Sequence, residues 1–353
     1  MDTEHPDLTE SLCAQVREAA AGRYALRIIG GDTKRGLGRT VAGAPLSLAG
    51  HRGVVSFEPS ELVVTARAGT PLAELEARLD QAGQMLPYEP LLTGPACTLG
   101  GAVATGLSGP RRPWAGALRD FVLGVRMIDA KGQALRFGGE VMKNVAGYDL
   151  SRLMTGSHGC LGVITEVSLK VLPKPRARLS LRFELGWEEA ARRLAKWRAQ
   201  PLPLAGACHD GKALRLRLEG GEAAVAATHA RLGGERFDDQ WWQRLRRFEL
   251  ELFDDPRPLW RLSLPPGTAR LPIEGEALLD WGGAQHWLKS DAPATRIHAE
   301  ARRCGGHACC FDGAQVELPF TPLDAVMLRY HQRLKAQLDP LGIFNPGRLY
   351  PEL

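Results

Sequence analysis

Two short glycine-rich segments constrain this chain more than anything else in it. The first is Ile29-Gly30-Gly31-Asp32-Thr33-Lys34, which closes a strand-like run over residues 24–29. The second is Pro95-Ala96-Cys97-Thr98-Leu99-Gly100-Gly101-Ala102-Val103-Ala104-Thr105-Gly106, small at nearly every position. A diphosphate is negatively charged and offers only acceptors. A site for it needs backbone N–H groups that can approach closely, and loops without bulky side chains supply them. Lys34 would add charge and Thr33 a hydroxyl donor. Neither loop is a Rossmann fingerprint, because no G-x-G-x-x-G leads from a strand into a helix. Each has a plainer reading by itself: Gly-Gly after a strand is an ordinary turn signal, and small residues suit a helix packed against backbone. Two such loops with a helix between them are harder to explain by packing alone.

Residues 9–20 read as a helix with Leu12, Val16, Ala19 and Ala20 on one face. Strand-like runs follow at 53–57 and 62–68, the second carrying the β-branched Val63-Val64-Thr65. Thr70 reads as an N-cap, Pro71 as the first helical position and Glu74 as the partner in a capping box. Leu72, Leu75 and Leu79 form that helix's buried stripe, and Gly83 ends it. Residues 122–128 and 134–137 read as a hairpin turning at 129–132, 150–154 as a short helix and 162–171 as a strand.

The prolines Pro173 and Pro175 then mark a boundary between two domains, 1–174 and 175–353. Single cores tend to split above roughly 250–300 residues, so two are expected here. Beyond the boundary, helices at 187–199, 222–232 and 295–303 alternate with strands at 213–218, 259–264 and 276–281. Residues 326–338 form a last amphipathic helix before a Pro/Gly tail. That rhythm implies an α+β unit on an antiparallel sheet.

The hydrophobic share of 44% and charged share of 24% are those of an ordinary soluble domain. The net charge of +5 comes without a Lys/Arg block of the nucleic-acid type, since Arg111-Arg112 and Arg244, Arg246 and Arg247 are short and isolated. A mildly basic surface suits a solvated face, an acidic partner, an anionic cofactor or a membrane surface, and composition leaves these open. The acidic N-terminal stretch lacks a signal peptide's apolar core, and no run of ~18 apolar residues spans a bilayer. The 7 Cys are scattered, which is no disulfide framework. A cytoplasmic location is expected, with peripheral attachment to the inner face of the cell membrane open.

The order of motifs resembles the FAD-binding domain of the vanillyl-alcohol oxidase/p-cresol methylhydroxylase (PCMH-type) superfamily. After the Gly-Gly loop come a matching segment over residues 64–75 and a loop over 95–109, with Ser108 where Gly is frequent. Gly156-Ser157-His158-Gly159-Cys160-Leu161-Gly162-Val163-Ile164-Thr165 completes the series. Lys143-Asn144-Val145-Ala146-Gly147-Tyr148-Asp149-Leu150 narrows the resemblance to the branch that oxidises 2-hydroxy acids. Gly109-Pro110-Arg111-Arg112-Pro113-Trp114, residues 137–142 and residues 339–348 are similar to the flavin subunits of bacterial glycolate oxidases. The similarity runs from about residue 50 to the end and is weakest over 175–290.

The resemblance implies an α+β fold: a PCMH-type two-part FAD-binding domain plus an antiparallel-sheet α+β cap, whose C-terminal helix and tail return to the FAD domain. It assigns the pyrophosphate to Ile29, Gly30, Gly31, Asp32, Thr33 and Lys34. The diphosphate and ribityl side go to Pro95, Thr98, Leu99, Gly100, Gly101, Ala104, Thr105 and Gly106. The adenine and flavin edges go to the main chain of Gly162, Val163 and Ile164. The first loop holds no His, so non-covalent FAD is expected.

Oxidising a 2-hydroxy acid needs a base, a cation for the carboxylate and the flavin as hydride acceptor. Catalytic relatives carry a His-rich cap with a divalent metal. Here His286 and His298 lie twelve apart with no third ligand in frame, so no metal is expected. Cys304, Cys309 and Cys310 fit neither zinc nor iron–sulfur spacing and read as buried strand cysteines. Lys143, Asn144 and Tyr148 either face the flavin or shape the turn before Leu150. His307 is either a catalytic residue or part of a strand, and His158 reads as a loop residue rather than a base. Arg348 either pairs with a carboxylate or phosphate or lies on the surface. The resemblance further implies a complex with a homologous FAD subunit and an iron–sulfur subunit, oxidising glycolate to glyoxylate and feeding the respiratory chain. The alternative is a non-catalytic flavin-binding or assembly subunit whose homologous partner carries the chemistry.

Overall fold

The computed structural model describes residues 5–139, 148–312 and 316–353. Lys143 and Asn144 lie outside the described residues. A five-stranded antiparallel sheet organises the first half, in the order Val54–Glu58, Val63–Arg67, Val163–Lys170, Val122–Ile128, Ala134–Gly138. Helices Thr9–Gly22 and Leu72–Gln81 bring Leu12, Val16, Leu72, Leu75 and Leu79 into one core with Val125, Val167 and Leu169 of the sheet. Each such side chain stabilises the fold by about 1.5–3 kcal/mol relative to exposure. Beside this sheet, Leu26–Ile29 pairs in parallel with Ala44–Ser47 and leads straight into the first glycine loop. The far end of the chain joins that pair, because Phe344 bridges to Leu26 and is itself buried in the first core.

The second half is an eight-stranded antiparallel sheet in the order Glu235–Arg236, Ala177–Phe183, Leu214–Gly220, Leu204–His209, Glu276–Asp280, Gln285–Lys289, Leu259–Ser263, His307–Cys310. Helices Trp187–Arg198 and Glu222–Leu232 cover one stretch of it through Leu194 and Val225, and Ala294–Arg303 covers another through Ile297 and Ala301. This is the antiparallel α+β cap that the strand and helix rhythm implies. Leu204–His209 and Gln285–Lys289 escape a reading by alternation because they are buried at every residue; a strand covered on both faces shows no period of two.

Two local expectations are corrected. Thr70 does not cap the helix after it, because its hydroxyl accepts from the Gly53 N–H (2.9 Å) and faces the Gly53 carbonyl (3.2 Å). That helix starts at Leu72 behind Pro71, without a side-chain cap. Cys309 and Cys310 are buried strand residues, but Cys304 sits half-buried where the Ala294–Arg303 helix ends. Helix Ala325–Leu338 is amphipathic as expected: it packs Leu334 and Leu338 against the first core and leaves Val326 and Tyr330 exposed.

Candidate cofactor site

A groove opens between the first glycine loop and helix Leu99–Thr105, and the turn at 156–162 together with the C-terminal tail closes it. Ile29, Gly30, Gly31, Asp32, Thr33 and Lys34 form one lip; Thr98, Gly101, Ala104 and Thr105 form the other. Gly100, Gly162 and Ile164 line the part nearer the sheet. Leu99 and Val163 turn into the core, Gly106 ends the helix in left-handed backbone, and Pro95 lies on an exposed rim.

The glycines do more than leave room for a ligand. A methyl on Gly30 would run into the Thr98 hydroxyl, and one on Gly31 would occupy the Ala96 carbonyl. The lips therefore touch each other through the absent side chains. Thr98 holds the second lip by accepting from the Gly101 N–H (3.2 Å). Thr33 and Lys34 turn their side chains towards the Cys97 sulfur, at 3.1 and 3.5 Å. Burial works against a Cys97 thiolate, but the Lys34 ammonium with the Thr33 and Thr93 hydroxyls outweighs it and lowers the thiol below its usual range. Burial in turn lowers Lys34.

Around the first lip the lining is cationic. Arg27, Lys34, Arg35 and Arg348 face the groove, with Asp32 as the carboxylate among them, 3.3 Å from Arg27. Backbone-lined, narrow and positive, this is the donor set a dinucleotide diphosphate requires.

Residues from the end of the chain complete it. The Asn345 side chain accepts from the Ile28 N–H (2.9 Å) and donates to the His158 carbonyl (2.8 Å), tying the two walls together. Arg348 donates to the carbonyls of Lys34 (2.8 Å), Arg35 (3.1 Å) and Arg39 (2.7 Å), wrapping the first lip from outside. Behind them the buried Lys335 ammonium donates to Asp339 and to the carbonyls of Cys160 and Phe344. His158 adopts left-handed backbone (φ 51°) and meets Phe320 edge-on at 5.6 Å. Burial and then Arg348 push its imidazole down to about 3, so it faces the groove neutral.

The phrase Asn345-Pro346-Gly347-Arg348 is visible in the sequence, but nothing local announces that it folds back on residues 26–39. Tyr148 stands 98% exposed, and His307 is exposed on the strand at the edge of the cap sheet. His286 bonds to the Gly283 carbonyl (3.2 Å), and His298 bonds to Thr321 and the Leu318 carbonyl (both 2.9 Å); both are buried structural residues. Among the described residues no group of His, Cys, Asp and Glu is arranged to hold a metal ion, and no helix is long and apolar enough to cross a membrane.

The cap meets the first half across a second seam. Leu37, Leu91 and Leu107 share a core with Trp242, Leu278 and Trp287 of the cap. Phe248, Phe253, Trp287 and Phe311 stack there at centroid distances of 4.9 to 6.2 Å. Above it the fully buried Arg217 grips Glu89 with two bonds, at 2.8 and 2.7 Å, and Arg111 pairs with Glu219. Burial alone would raise the Glu89 carboxyl, yet Arg217 overrides it and holds the group at about 2.

Residues 5–138 match the family model described as an FAD binding domain. The glycolate oxidase subunit GlcE of Escherichia coli (strain K12) is 55% identical over 347 residues, 98% of this chain and 99% of that protein. The chain belongs to the GlcE family of glycolate oxidase subunits. FAD is its cofactor, and the cationic, backbone-lined groove fits it. The glycolate oxidase subunit GlcD of Bacillus subtilis (strain 168) is 33% identical over 128 residues, 36% of this chain and 27% of that protein. An alkyldihydroxyacetonephosphate synthase structure superimposes with a TM-score of 0.68 at 16% identity, over 97% of this chain and 75% of that one. At that identity the likeness carries the fold alone: a PCMH-type FAD-binding domain with a separate antiparallel-sheet cap.

Proposed function

We propose that this chain is the FAD-holding subunit of a glycolate-oxidase complex in which a homologous flavin subunit does the substrate chemistry. The single observation that carries the reading is a contrast within one molecule. The flavin cradle is complete, while the seam between flavin half and cap is filled by Trp242, Phe248, Trp287 and Phe311. The GlcD match over 36% of the chain supports a homologous partner. In this reading residues 1–174 form the FAD-binding domain, and 175–353 form a cap whose last helix and tail return to it. FAD is held without a covalent bond, and electrons from glycolate oxidation leave through an iron–sulfur subunit to the respiratory chain at the inner face of the cell membrane.

The bound flavin supplies hydride and single-electron transfer. The chain's own residues hold and shield it: Arg35 and Arg348 offset the diphosphate charge, Asn345 ties the strand before the first lip to the His158 turn, and neutral His158 with Phe320 closes one wall. Anaerobic addition of glycolate to the purified chain tests the reading. The expected result is a flavin spectrum that stays oxidised in the isolated subunit and bleaches in the assembled complex. Bleaching of the isolated chain would overturn it and make this subunit the dehydrogenase.

A further inference from the structure

A second cleft lies away from the flavin groove, between the Arg112–Ala115 helix of the first half and the cap, and Arg112, Asp120, Arg198, Trp281 and His307 line it. Its construction is centred on Trp281, whose buried indole N–H donates to the Gly109 carbonyl (2.9 Å) and fixes the ring. The Arg112 guanidinium lies over that ring at 4.5 Å, and the Arg261 guanidinium lies at 5.2 Å from it. The Arg198 guanidinium approaches from the last turn of helix Trp187–Arg198, 3.6 Å from where a side chain on Gly282 would begin.

Charge is only partly balanced here. Arg261 donates to the Gln285 side chain (2.5 Å), a neutral partner. Among the described residues the side chains of Arg112 and Arg198 donate no hydrogen bond to the protein. The one carboxylate lining the cleft, Asp120, is engaged by the Ala117 N–H (2.8 Å). Burial lowers Arg112 most, the nearby Arg261 adds to that, and Asp120 partly offsets it. Cations gathered in this way repel one another unless an anion sits between them. Stacking also leaves one edge for the anion. A guanidinium held by its face against an indole keeps its edge N–H donors free, and in that plane a flat carboxylate takes two parallel bonds.

We infer that this cleft is a binding site for a small carboxylate, gripped by Arg112 and Arg198 with His307 on the wall beside them. The site does not depend on which subunit oxidises glycolate, so it stands or falls separately from the function proposed above.

Calorimetric titration of the flavin-loaded chain at fixed ionic strength tests it, with glycolate, glyoxylate and inorganic phosphate as probes. Saturable binding of a carboxylate is expected, weakened at least ~10-fold in Arg112→Gln, about 1.4 kcal/mol. A similar loss is expected in Arg198→Gln, an exposed residue whose side chain donates no hydrogen bond to the fold, which guards against a folding defect in the first variant. The flavin spectrum should not change in either, because neither residue lines the cofactor groove. No saturable binding by either carboxylate, binding indifferent to both substitutions, or phosphate binding as tightly as the carboxylates would each overturn the inference.

Discussion

The flavin groove and the seam beneath the cap are both contacts between distant parts of the chain, yet they are closed by different means. At the groove the two lips meet through glycine and hydrogen bonds to main chain: Gly30 against Thr98, Gly31 against Ala96, Asn345 and Arg348 on carbonyls and an amide. At the seam, side chains do the work, with Arg217 on Glu89 and a stack of Phe248, Trp287 and Phe311. A joint made of backbone leaves its donors facing inward for a ligand. A joint made of side chains excludes one. The contrast separates a surface suited to a dinucleotide from one that is shut.

The sharpest way to break the first joint is Gly31→Val, because no side chain fits beside the Ala96 carbonyl. Flavin absorbance per protein should fall below a tenth of the parent's. Retention of full occupancy would show that the lips need not touch.

Breaking the second joint with Glu89→Gln takes away the two-bond partner of buried Arg217 and leaves it only Glu219 as an ion-pair partner, at 3.5 Å, a loss of about 3 kcal/mol measured by denaturant unfolding. The same pair sets a pH dependence. Glu89 is held at about 2 when folded, against an ordinary value of ~4.3. Its stabilisation is therefore complete above that ordinary value and drains away as pH falls towards 2. Asp280, buried nearby, works in the opposite direction. Burial raises it to about 7, so its folded form favours the proton, and stability from this group declines as pH rises from ~4 towards 7. Asp280→Asn should flatten that upper decline and leave the acid limb intact, read from unfolding midpoints across pH.

The smallest effect belongs to Asn345→Ala, which removes two hydrogen bonds between the walls without touching the core. At ~1 kcal/mol per bond, FAD affinity measured by fluorescence titration should weaken by up to about 30-fold, while the melting point of the flavin-free chain barely moves. Equal losses in both would make Asn345 a general structural residue rather than one that positions the cradle.

The sequence exposes the first joint far better than the second, and the reason is physical. Backbone sites write themselves in glycine, and Gly30-Gly31, Gly100-Gly101 and Gly162 sit in order along the chain, so both lips were legible. Thr70 misled because a hydroxyl before a proline and a leucine stripe reads as a cap, whereas only the fold shows that Gly53 lies within reach of it. Asn345 and Arg348 carry no local sign of their role, since what they touch is 187 to 317 residues away. The aromatic seam was illegible for the same reason: Leu91 and Trp287 become neighbours only when the cap closes.

The tail's grip on the first lip also has a consequence in time. Ile28 emerges early in synthesis, but the side chain that holds its amide is Asn345, 317 residues later. Domains made first generally fold first, yet this cradle stays half-built until the polypeptide has been read through Arg348. Tight flavin binding thereby waits on the last residues to be translated.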